Sequence, residues 1–201
     1  MGATKEKSEY TRKHIMQIAL RMFADKGFST CRLEDIAHAA GVTRGAIYWH
    51  FKNKTDLFMQ IFTEKIKELF GIIFPIAYHD IPPIEKIRMI LKTIVEKLSN
   101  DPDMRAIALL QYNIEWTREI HQKLMEALKN LNVDEVKPLV KIIEEAKESG
   151  EISTIRDTMT LVHLIRIFIH GMAHIILDEF EKISVKEINS AIDEFVVLLK
   201  K

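Results

Sequence analysis

The densest hydrogen-bonding chemistry in the chain falls in one short run, Thr43-Arg44-Gly45-Ala46-Ile47-Tyr48-Trp49-His50. Arg44 can donate two parallel bonds to a guanine edge. Tyr48, Trp49 and His50 combine polar hydrogens that suit phosphates with rings that suit thymine methyls. Gly45 lets a backbone approach a duplex with no side chain in the way, and Thr43 stands where a helix wants its N-cap. Unpaired N–H groups at such a helix start favour a phosphate or base edge near Thr43, Arg44 and Gly45. The plainer alternative makes Tyr48 and Trp49 core aromatics. Adjacent helical residues cannot both face one small core, so at least one ring is expected at the surface.

A second constellation lies near the C-terminus, where His170, His174 and Asp178 recur at i, i+4 and i+8, with His163 earlier on the stripe. A metal site is geometrically possible there. The expectation is nevertheless of unmetallated histidines, hydrogen-bonded at an interface or a pocket wall, with no metal and no cofactor. Catalytic signatures are missing. None of the 8 histidines has a glutamate three residues before it, which a helical diiron site requires. No Gly-rich phosphate loop or Gly-x-Ser-x-Gly elbow occurs. An all-helical enzyme is therefore the remote alternative to a binding protein.

The elements that must carry these residues read as helices throughout. Only 7 Gly and 5 Pro punctuate 201 residues, 47% of them hydrophobic, and no strand is expected. Ile15, Ile18, Ala19, Met22 and Phe23 predict an amphipathic helix over 9–26, stopped by Gly27. A short helix over 33–40 ends at Gly41, a turn residue able to adopt positive φ, and Thr43 opens another from Arg44 to about Phe51. Ala37 lets the two helices sit close, and Ile36, Val42, Ile47 and Phe51 supply their facing apolar surfaces. This is a helix-turn-helix. Thr55 or its neighbours open a long helix, which Pro75 stops near Phe74, and Lys54 at its head is placed to clamp a phosphate.

Further helices are expected over 84–98, 103–116 and 119–149, the last kinked or broken by Asn130–Asp134 and Pro138 and ended by Gly150. Two more span 157–181 and 185–200. Leu161, Leu164, Ile165, Phe168, Met172 and Ile176 on the first of this pair, and Ile188, Ile192, Phe195, Val196 and Leu199 on the second, form more apolar surface than one packing face needs. Two chains joined there would make a four-helix bundle, hence a homodimer.

Charge is unevenly placed. The whole chain is neutral, yet residues 1–60 carry a net +4 and the rest −4, so the N-terminal quarter is the part suited to phosphates. Cys31 is the single cysteine, which excludes an internal disulfide and a Cys-based zinc cluster and fits a reducing compartment. The N-terminus has no apolar signal region. The run Leu69–Tyr78 is about half of the roughly 20 residues a bilayer needs, and 161–177 is interrupted by Arg166 and histidines. No membrane association and a cytoplasmic location are expected.

Residues 9–58, above all Gly-Val-Thr-Arg-Gly-Ala-Ile-Tyr-Trp-His-Phe-Lys-Asn-Lys-Thr-Asp-Leu-Phe over 41–58, closely resemble the DNA-binding domain of TetR-family regulators, in particular the branch of multidrug-efflux repressors that includes AcrR and TtgR. The resemblance implies an all-α fold: a three-helix helix-turn-helix domain over 1–54 and a larger ligand-binding and dimerisation domain over 55–201. It makes Thr43, Arg44, Gly45, Ala46, Tyr48, Trp49 and His50 the operator-reading set, with Lys52 and Lys54 on phosphates. One departure is Cys31-Arg32, where the family usually has a Ser/Thr pair capping the second helix. Thr30 is then expected to take over the cap and a phosphate contact, with Arg32 adding a charge contact; otherwise that helix start is weaker by about 1 kcal/mol.

The resemblance also implies an effector pocket lined by the middle helices, for which this chain offers Phe70, Ile73, Ile87, Met89, Tyr112, Trp116, Met125, Ile142, Ile169, His170 and Ala173. Core packing is the competing reading for each aliphatic residue. Tyr112, Trp116 and His170, amphipathic side chains, are better suited to orient a ligand. The expected function is a ligand-responsive repressor that holds double-stranded operator DNA as a homodimer and is released by a small hydrophobic effector, in control of an efflux system. A metal-sensing or activating regulator of the same fold is the alternative.

Overall fold

The computed structural model describes residues 2–113, 117–130, 136–178 and 183–200. Among them the elements are helices α1 (Gly2–Lys26), α2 (Leu33–Ala39), α3 (Arg44–His50), α4 (Lys54–Ile73), a 3-10 segment (Phe74–Tyr78), α5 (Pro83–Asn100), α6 (Pro102–Asn113), α7 (Arg118–Asn130), α8 (Lys137–Glu148), α9 (Thr158–Leu177) and α10 (Val185–Leu199). No strand occurs among the described residues. The backbone forms two compact units, Met1–Lys67 with Ala106–Leu131 and Glu68–Arg105 with Asn132–Lys201.

In the first unit, Ile15, Ala19 and Phe23 of α1 are buried with Ile36 and Ala37 of α2, Ile47 of α3, and Leu57 and Phe58 of α4. Phe28, on the α1–α2 loop, packs its ring 5.3 Å from Phe23 and 5.2 Å from Phe58. Packing three aromatic rings together and burying this aliphatic set gives helices as short as α2 and α3 a stability that seven isolated residues could not have. Gly41 takes φ +65°, the left-handed conformation that lets the Val42 N–H reach back to the Ala37 carbonyl at 3.0 Å and end α2. Helix α1 starts at Gly2, well before the expected position 9, because nothing between Ala3 and Glu9 breaks a helix.

In the second unit α5 packs against α8, α9, α10 and the 3-10 segment. It buries Ile84, Ile87, Ile90, Leu91, Ile94, Val95 and Leu98. Lys86 on the same helix is only 5% exposed. Its ammonium donates to Glu145 Oε2 at 2.7 Å and to the Ala77 carbonyl at 3.2 Å, which satisfies a charge that could not otherwise be buried. Lys141 also pairs with Glu145 and lies 5.2 Å from the Tyr78 ring centre. These two lysines hold Glu145 below the usual carboxylate range, Lys141 contributing most. Arg88 and Lys92 both pair with Asp193 and so tie α5 to α10.

Helix α9 begins at Asp157, whose carboxylate accepts from Thr160 N–H at 2.7 Å. Ser184 and Glu187 form a reciprocal capping box at the start of α10. By length and composition α9 is apolar enough to cross a membrane. Here it packs on α5 and α8, burying Leu161, Val162, Ile165 and Met172. The stretch expected as one helix over 119–149 is two, α7 and α8, with Pro138 in the first turn of α8. Asp178 is the C-cap of α9, its N–H still bonded to the His174 carbonyl at 3.0 Å, so the helix ends where the i, i+4, i+8 stripe reaches its last member. No group of three or more His, Cys, Asp or Glu converges on a metal site among the described residues.

Candidate nucleic-acid interface

Thr43 has the extended backbone of an N-cap, and its Oγ1 accepts from the Ala46 N–H at 3.1 Å. That bond fixes where α3 begins and therefore which residues face outward. Ile47 points into the core and is fully buried. Tyr48 is 44% exposed and Trp49 82% exposed, so the core-aromatic alternative does not describe this chain. Arg44 and Gly45 are exposed, while Ala46 and His50 are half-buried. Burial, more than the nearby Arg12 charge, pushes the His50 imidazolium below its usual pKa.

Helix α2 contributes a residue to this surface that the sequence reading had not singled out. Glu34 Oε1 accepts from the Tyr48 hydroxyl at 2.9 Å and lies 3.3 Å from Arg44 Nη2. The Arg44 guanidinium in turn stands 5.6 Å from the Tyr48 ring centre. The Glu34 carboxyl is held below the usual range first by its own main-chain N–H and then by Tyr48, so it is charged at neutral pH. All three groups are exposed, and ion pairs of this kind add little to stability. Only the signs and lengths of Glu34 and Arg44 on neighbouring helices could have indicated the pair from sequence.

Two expected contacts are placed differently from the sequence reading. Thr30 does not cap α2: its hydroxyl donates to the carbonyls of Lys26 and Gly27, closing the end of α1. Arg32 occupies the N-cap position of α2 and its side chain makes no cap bond, because an arginine side chain offers no acceptor for the free N–H groups. Helix α2 thus has the weaker start, offset by Glu34 and Asp35 in its first turn. Lys54 donates to the carbonyls of Phe28 at 2.7 Å and Ser29 at 3.0 Å, with its ammonium 4.6 Å from the Phe28 ring centre. Its first duty is to join the start of α4 to the α1–α2 loop, and burial lowers its pKa. Lys52 is exposed. The cap of α4 is Asn53, whose Oδ1 accepts from Asp56 N–H at 2.8 Å while Asp56 accepts from Lys52 N–H at 2.8 Å. The Asn-x-x-Asp spacing was the legible signal for it.

Comparison with known proteins agrees with this geometry. Residues 15–61 match the family model described as bacterial regulatory proteins, tetR family. Over 58 residues, 29% of this chain and 27% of the relative, the sequence is 59% identical to the HTH-type transcriptional regulator AcrR of Shigella flexneri. Over 164 residues, 79% of this chain and 78% of the relative, it is 30% identical to the HTH-type transcriptional regulator TtgR of Pseudomonas putida. The chain belongs to the TetR family. The fold agrees: the complex of triclosan with SmeT, the efflux-pump repressor of Stenotrophomonas maltophilia, superposes with a TM-score of 0.78 at 20% identity, covering 94% of this chain and 90% of that one. These relatives are transcriptional regulators, and this TetR-family chain is a regulator and not an enzyme.

The residues expected to line a TetR-type effector pocket divide between the two units. In the second unit Ile73, Ile87 and Ile142 are buried, Phe70 stacks on Phe74 at 4.7 Å, and Ile169 and Ala173 are half-buried. Met89 and His170 are exposed there. Met125 is exposed on α7 in the first unit. Trp116 and the side chain of Tyr112 lie outside the described residues. A separate apolar groove of about 310 Å³ is lined by Ile167, Phe168, Gly171, Met172, Ile175, Ile183, Ile188 and Ala191 on α9, α10 and the stretch before α10. None of the expected pocket residues lines it. It lies on the face of the last two helices, where Phe168 stacks on Phe195 at 4.0 Å.

Proposed function

We propose that this TetR-family regulator is a cytoplasmic repressor that binds operator DNA as a homodimer through two copies of α3 and lets go when a small, largely hydrophobic effector enters the domain that follows residue 54. The observation that carries the reading is the outward face of α3, where Arg44, Tyr48 and Trp49 stand exposed around a buried Ile47. A seven-residue helix supplies few contacts, so affinity requires two linked half-sites. The apolar face of α9 and α10 fits that linkage, with Ile167, Leu164, Val197 and Leu198 all exposed. AcrR and TtgR support regulation of transcription, and the triclosan bound to SmeT supports the effector class. Thr43, Arg44, Gly45, Ala46, Tyr48, Trp49 and His50 read the operator. Arg32, Lys52 and the remaining ammonium hydrogen of Lys54 serve the phosphates, while the Thr30 hydroxyl, already donating to the Lys26 and Gly27 carbonyls, is left out of that set. Effector binding acts by changing the tilt of α4, which needs a preference of about 1–3 kcal/mol per site for the released geometry.

The test is to sequence genomic fragments retained by the purified protein and then measure the Arg44→Ala variant on the enriched fragment. Loss of about 1–3 kcal/mol of discrimination at one base position of each half-site is expected. A variant that binds and discriminates as the parent does would remove α3 from the reading surface.

A further inference from the structure

A carboxylate in the middle of a surface meant for a polyanion needs a reason, and Glu34 is such a carboxylate. It contacts Arg44, the one arginine or lysine on α3, and the Tyr48 hydroxyl, both through the same oxygen. The arginine side of that contact is the single nitrogen Nη2, whose two hydrogens belong to different two-donor edges of the guanidinium, Nε–Nη2 and Nη1–Nη2, so one edge stays available to a base presenting two acceptors. Glu34 therefore does not block readout. What it does change is charge: with Arg44 paired, α3 brings no net positive charge to the duplex. Binding to phosphates of any sequence is an additive, longer-ranged charge effect. Hydrogen bonds to base edges are short-ranged and depend on geometry, which the Glu34 and Tyr48 contacts hold in place.

We propose that Glu34 is a specificity-determining residue: by neutralising and orienting Arg44 it weakens contact with phosphates of any sequence more than it weakens contact with the operator's bases. This rests on the reading of α3 as the DNA-reading helix. Glu34 earns its place by keeping the protein off the bulk of the genome, where competing sites outnumber operators.

The experiment titrates the full-length protein and its Glu34→Gln, Glu34→Asp and Arg44→Ala variants with a random-sequence duplex and with the fragment enriched by the parent, over a series of salt concentrations. Glu34→Gln should bind the random duplex about three- to tenfold more tightly, with a salt slope steeper by about one to two. The fragment should gain less, so the ratio between the two falls. Glu34→Asp, which keeps the charge, should restore a ratio near that of the parent. If Glu34→Gln leaves random-duplex affinity and salt slope unchanged while Arg44→Ala still weakens the fragment complex, the proposal is overturned and the α3 reading stands. If Arg44→Ala is also without effect, the α3 reading fails and takes the proposal with it. Equal losses for Gln and Asp on both DNAs would make Glu34 a prop between α2 and α3. A changed base preference at unchanged random-duplex affinity would make it a base reader. Either result overturns the proposal.

Discussion

Helices α3 and α9 both expose large side chains that a soluble protein usually hides, and their surroundings differ. Around Tyr48 and Trp49 stand a carboxylate, a guanidinium and a hydroxyl already in contact with one another. Around Ile167, 68% exposed, the groove is lined by Phe168 and Met172 of α9 and by Ile188 and Ala191 of α10, with Phe168 stacked on Phe195. The first surface combines donors with rings and suits a ligand with charge and hydrogen-bonding edges. The second suits another apolar face. Exposure alone did not separate the two; the chemistry of the neighbours did.

The comparison can be broken most severely on the α9 side. Ile167→Asp combined with Leu198→Asp should yield monomers in sedimentation velocity and weaken operator binding by about 100-fold or more, since the linkage of two half-sites is lost. A dimer that survives both changes would assign α9 and α10 to some other purpose. Next in size is Lys86→Met, which removes the cation but leaves Glu145 its Lys141 partner. Urea unfolding should show a loss of about 2–3 kcal/mol, with operator preference unchanged in the protein that remains folded. A shift in base preference would mean that recognition is not confined to the α2–α3 region.

The smallest effect concerns His50. Its folded pKa lies below the ordinary 6.5 because burial disfavours the charged ring. Above 6.5 both folded and unfolded chains hold it neutral. As pH falls below that value the unfolded chain takes up the proton first, and the folded state loses stability until the pH has passed the lowered folded pKa. Urea midpoints compared at about pH 7 and about pH 5 should fall at the lower pH, and His50→Gln should reduce the difference. An unchanged difference would mean that the ring is as hydrated as the other residues of the α3 surface.

What the sequence made legible was local. The α2–turn–α3 unit is readable because Gly41, Thr43 and the spacing of Ile36 to Ile47 each act within a few residues, and the outcome follows from turn and cap chemistry. The break at Pro138 and the end of α8 at Gly150 are of the same kind. Contacts between distant positions were not legible: Lys86 meets Glu145 across 59 residues, Tyr48 meets Glu34 across 14, and Lys54 reaches carbonyls 26 and 25 residues away. Each depends on the angle between packed helices, which hydrophobic spacing does not specify. Thr30 closes α1 instead of opening α2 because a hydroxyl at a loop can close the helix before it as readily as it can open the one after it.

The lysine at the start of α4 has a consequence for signalling. Its ammonium bonds two carbonyls of the preceding loop and so ties the first turn of α4 to the base of the α1–α3 head. A displacement of α4 would therefore reposition the head along the groove without distorting it. In the dimer proposed above, such a coupling would alter how far apart two identical words must be spelled, and leave the words themselves untouched.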